Sequence, residues 1–178
     1  MDAFAELGLP RSTVVDASEM ARRFDEISRL RHPDAGGDAE AFARLNEARR
    51  LLASPAARLR HLLELVAPGT RLDGALDPAL MEIFQVLGPA LQAAQDVDRR
   101  RGAAATALAR ALLASDAMCH RELLEAIAAT IAERLEILEA TAARWDGSVD
   151  ALAAWAREAA FLEKWQSQVR DQLGRFNV

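Results

Sequence analysis

Apolar positions along this chain recur at helical spacing almost from end to end. Phe4 and Leu7 give a short inner face that Gly8 and Pro10 close, with Asp2 placed to cap it. Met20, Phe24 and Ile27 fall at i, i+4 and i+7, one stripe of a helix over 16–31 with Asp16 or Ser18 as its cap. His32-Pro33-Asp34 and then Gly36-Gly37 force a stop. Asp38 restarts a helix whose apolar face is Phe42, Leu45, Ala48 and Leu52. Two helices of similar length joined by a short loop pack antiparallel. Pro55 opens a further helix, at the position proline tolerates best, with Leu59, Leu62, Leu63 and Val66 expected inside.

Residues 67–77 break the pattern with Pro, Gly and Asp signals and little periodicity. They divide the chain into 1–66, a linker, and 78–178. Beyond them the texture is Ala-rich helix. Gly88-Pro89 predicts a kink or break, residues 103–143 a nearly continuous helix, and Trp145-Asp146-Gly147-Ser148 a turn. The last helix, 149–176, carries Leu152, Trp155, Ala159, Leu162, Val169, Leu173 and Phe176 on one stripe. The expected fold is all-α: an N-terminal helical hairpin followed by an antiparallel three-helix bundle.

Composition agrees. Of the 178 residues 51 % are apolar, enough for a packed core, and strand-favouring runs are nearly absent. A formal net charge of −5 argues against a general nucleic-acid or membrane-surface binder. The one cysteine, Cys119, excludes an internal disulfide, and a reducing compartment suits the chain. No signal peptide and no membrane span is read, so a cytoplasmic location is expected.

The chemistry-bearing residues are few. His32 and Asp34 could form an acid–base pair, but no nucleophile or second polar cluster accompanies them. His61, His120 and Cys119 have no ligand-spaced partners, so neither a metal nor another cofactor is expected, and the chain does not read as an enzyme. Arg22 and Arg29 share one helix face beside His32-Pro33-Asp34, and Arg23 and Arg31 extend it. Glu26 sits among them, so the face could equally be a solvated set of salt bridges.

His32-Pro33-Asp34, with Phe24 and Ile27 before it and "FARLNEARRLLASP" (42–55) after it, resembles the J-domain of co-chaperones, over residues 2 to about 65. The resemblance implies that His32, Pro33 and Asp34, assisted by Arg22, Arg23 and Arg29, dock on a DnaK-type ATPase and bias it toward hydrolysis. Ala35 and Arg49 depart from the family pattern, which has a basic residue and a Tyr there. A J-domain leading directly into a helical bundle resembles HscB, the co-chaperone of iron–sulfur cluster assembly. "DPALMEIFQ" (77–85) and "FLEKW" (161–165) carry that likeness. It implies an HscA-type ATPase as partner and an IscU-type scaffold as client, held on Leu80, Met81, Phe84 and Phe161. Gln85 and Gly88 stand where the family carries acidic residues, and ordinary bundle core is the competing role for Met81 and Phe84. A J-protein for an unrelated client, or a helical regulator that activates no ATPase, remain the alternatives.

Overall fold

The computed structural model describes residues 1–31 and 38–176; among them are seven helices and no strand. They are α1 (Ala3–Glu6), α2 (Ala17–Arg31), α3 (Ala39–Ala53), α4 (Pro55–Val66), α5 (Pro78–Ala103), α6 (Ala107–Ala142) and α7 (Val149–Phe176). The fold is all-α, a hairpin of α2 and α3 followed by an antiparallel three-helix bundle.

The starts of these helices are written in the sequence. Asp2 accepts from the N–H groups of Phe4 and Ala5, and Asp16 from that of Glu19 at 2.7 Å. Asp38 caps α3 through Glu40 and Ala41. Ser54-Pro55 and Asp77-Pro78 each pair a capping side chain with a proline in the first turn, where a missing N–H costs nothing.

The chain forms two compact units, Met1–Gly74 with Leu138–Ala160, and Ala75–Ile137 with Phe161–Val178. The first unit is thus larger than residues 1–66. In it Phe4, Leu7, Leu45, Leu52, Leu59 and Leu62 are fully buried, and α3 packs against α1, α2 and α4. Arg58 binds residues 138–160 to this core. It is only 3 % exposed, donates to the carbonyls of Thr13 (2.9 Å) and Leu52 (2.8 Å), and pairs with Glu139 at 2.5 Å. The Thr13 hydroxyl donates to the Ala142 carbonyl at 2.7 Å. Gly74 has φ of +137°, and a Cβ there would sit 3.0 Å from the Arg157 guanidinium, which donates to the Asp73 carbonyl at 2.7 Å. Val66, expected inside, is exposed although it shares the stripe of Leu59, Leu62 and Leu63, because it is the last residue of α4.

In the second unit α5, residues 107–137 of α6 and residues 161–176 of α7 supply the core. Leu80, Ile83, Leu87, Ala90, Ala94 and Val97 form one continuous buried face of α5. That face runs on through Gly88-Pro89, where a kink or break is expected from sequence, and the helix is not broken there. Gly88 and Pro89 lie on the exposed side. The Gln85 carbonyl that Pro89 leaves unbonded is also on the exposed side, where water can replace the lost bond. Likewise α6 runs unbroken past Ser115-Asp116.

Candidate partner-binding surfaces

Two sets of residues stand out from the sequence, one in each unit. His32, Pro33 and Asp34 of the first set lie outside the described residues. The helix that leads to them is described. On α2, Arg22 pairs with Glu19 at 2.6 Å and Glu26 at 2.5 Å, and Arg23 pairs with Glu19 at 3.0 Å. These partners hold the Glu19 carboxyl below its ordinary range, the bond from Arg22 being the largest cause, and raise Arg22 above its own. All are solvent-facing i,i+3 or i,i+4 pairs, which water screens, and they leave the guanidiniums at the surface. Arg29 is exposed and makes no ion pair among the described residues. Arg31 reaches back to Glu6 at 2.7 Å, tying the end of α2 to α1.

Behind this face the hairpin is held by Met20, Phe24, Leu45 and Ala48. Arg49, which departs from the J-domain pattern, lays its guanidinium 4.4 Å from the centroid of the Phe24 ring. A flat cation thereby covers the ring that an aromatic side chain would otherwise cover.

In the second unit the structure separates the four expected client contacts. Leu80 is 1 % exposed and belongs to the core face of α5. Its neighbour Met81 lies about 100° round the helix and is exposed. Phe84 is 56 % exposed, a large apolar side chain that folding leaves in water. Trp165, the last residue of the "FLEKW" stretch, is buried. Its ring lies 6.1 Å from that of Phe84 and 5.7 Å from that of half-buried Phe161. Phe84, Trp165 and Phe161 thus form one aromatic cluster with a buried centre. The surface continuing along α5 is neutral: Gln85, Gly88, Pro89 and Gln92 are all exposed. Trp165 as the support of this patch was the feature least visible in sequence, because its burial depends on the packing of α7 against α5.

Among the described residues no group of three or more His, Cys, Asp or Glu is arranged to hold a metal ion, and no helix is long and apolar enough to cross a membrane.

A helical hairpin leading into a three-helix bundle, with these helix lengths and order, is an HscB-like fold. One solved structure that shares it is the chaperone HscB from Vibrio cholerae, with a TM-score of 0.56 and 24 % sequence identity over 96 % of this chain and 96 % of that chain. No family model matches the sequence.

Proposed function

We propose that this chain is a J-domain co-chaperone. It stimulates ATP hydrolysis by a DnaK/HscA-type ATPase and presents a client to it, an IscU-type iron–sulfur scaffold being the client that suits the fold. The observation that carries this reading is the pairing of His32-Pro33-Asp34, set between α2 and α3, with an HscB-like fold along nearly the whole chain.

The mechanism is allosteric. His32, Pro33 and Asp34 meet the ATPase together with the basic face of α2, and the hydrolytic groups are the partner's. Arg22 and Arg23 can exchange weak exposed pairs with Glu19 and Glu26 for acidic groups on the ATPase at little net cost. Arg29 is already exposed. Charge complementarity of this kind sets encounter rate and orientation more than raw affinity. The client is held on Met81, Phe84 and Phe161, and Leu80 supports them from the core. One observation favours a second reading, a different client: the neutral run Gln85, Gly88 and Gln92 beside Phe84.

The test is single-turnover ATP hydrolysis by the DnaK- and HscA-type ATPases of the source organism, with the full chain and with its His32→Gln variant. Stimulation by the first and none by the second is expected. No stimulation of either ATPase by the folded wild type would overturn the reading. Titration of the full chain against an IscU-type scaffold separates the two clients.

A further inference from the structure

The outer side of α6 is unusually apolar for a surface helix. Leu108 is 71 % exposed and Leu112 68 %, and Leu123 and Ile137 are exposed as well. Exposed apolar side chains repeated along one helix suit an interaction site.

The spacing on this face indicates what covers it. Leu112, Cys119, Leu123, Ala126, Thr130 and Ile137 follow one another at intervals of 7, 4, 3, 4 and 7. At about 100° per residue they lie within roughly 60° of the helix circumference. The buried residues Leu113, Leu124 and Ile131 are centred about a third of a turn away. The central 4–3–4 spacing is that of a two-helix seam; in the two outer gaps the 3/4 positions are Ser115 and Asp116 at one end and Glu133 and Arg134 at the other. The intervals also read the same in both directions, which is what an antiparallel pair related by a two-fold axis requires. Such a pair sets Leu112 against Ile137 of the second copy, Cys119 against its Thr130, and Leu123 against its Ala126. Large residues meet at the two ends, and large meets small at the centre.

The flanking charges fit the same register. Asp116 and Arg134 lie on one flank of the seam, and the two-fold brings Asp116 of one copy beside Arg134 of the other. Among the described residues Asp116 lies 4.0 Å from Arg100, and Arg134 pairs with Asp77 at 3.1 Å. Where the seam ends, Ile83, Val86, Thr130 and Ile137 line a groove of about 470 Å³ between α5 and α6, over which Leu112 of the second copy would lie.

We propose that this face of α6 is a homodimer interface, in which a second copy of this chain packs antiparallel about a two-fold axis between Leu123 and Ala126. This stands independently of the co-chaperone reading.

Sedimentation equilibrium of the full chain tests it, together with two variants whose far-UV circular dichroism and melting confirm folding. Wild type is expected to show a reversible monomer–dimer equilibrium. Leu123→Glu, at an exposed position, should raise the dimer dissociation constant roughly tenfold or more. Thr130→Cys should give a covalent dimer on mild oxidation, through Cys119 of one copy and the new thiol of the other. In wild type the two Cys119 residues would be offset by roughly 16 Å along the seam, too far to bridge. A wild type that stays monomeric at all concentrations, a dimer indifferent to Leu123→Glu, or wild type cross-linking as readily as Thr130→Cys would overturn the proposal.

Discussion

The guanidinium of Arg49 on α3 lies 4.4 Å from the centroid of the Phe24 ring on α2, joining the two helices that flank the His-Pro-Asp stretch. Phe24 is buried, and the cation lies over its ring. An Arg at a position the J-domain pattern gives to Tyr is therefore a substitution of one flat ring cover for another. Arg49→Ala should destabilise the first unit by about 0.5–1 kcal/mol, and Arg49→Tyr should restore most of it. Chemical denaturation of the three proteins decides this; an alanine variant as stable as wild type would show that the contact contributes nothing.

Arg58 is a buried cation whose hydrogen bonds go to two carbonyls and one carboxylate. Replacing it with Met keeps much of the volume but leaves the Thr13 and Leu52 carbonyls and Glu139 without their donor. The expected loss is roughly 2–4 kcal/mol, less than for a fully enclosed pair because Glu139 is partly exposed to water. Urea midpoints measure it. Arg58→Met with Glu139→Gln should recover part of the loss, since the uncompensated charge is then gone.

His61 accepts a hydrogen bond from the Ala3 N–H at 3.0 Å and stacks on Phe4, which fixes a neutral ring. Burial is the main cause that holds its pKa below 6.5; Asp2 opposes this, and the N-terminal ammonium and Arg11 add to the lowering. Between the lowered folded value and the unfolded one, the unfolded chain binds more protons, so stability rises with pH. The His61 contribution is complete above about pH 6.5 and declines as the pH falls below it. Thermal melts from about pH 7.5 to 5.5 should show this slope in wild type and a flatter one in His61→Gln. Equal slopes would remove His61 as the cause.

Leu80, Met81 and Phe84 are close in sequence but do different work. Leu80→Ala should cost about 2–4 kcal/mol of stability, as a fully buried leucine does. Met81→Ala should leave stability within about 0.5 kcal/mol, as exposed substitutions do. Phe84→Ala should cost about 1 kcal/mol through its lost contact with Trp165. On the client reading, both surface variants should weaken binding of the scaffold roughly tenfold while the ATPase is still stimulated. Calorimetric titration alongside single-turnover hydrolysis reads both; unchanged scaffold affinity in both variants would remove this patch as the client site.

The sequence alone determined the helices, their caps and their order, because periodicity, Asp and Ser caps and first-turn prolines act over a few residues. It marked His32-Pro33-Asp34 and the basic positions of α2 for the same reason, since a motif at a helix end is local. Tertiary packing decided the rest. It carried α5 through Gly88-Pro89, because a continuous buried face outweighs one unmade hydrogen bond on the exposed side. It buried Arg58, since only the placing of Thr13 and Glu139 gives that guanidinium its partners. It sent Leu80 to the core and left Met81 and Phe84 outside, with Trp165 beneath Phe84. One helical stripe specifies which residues share a face. Which face meets another helix is set by the partner's side chains, and those come from distant parts of the chain.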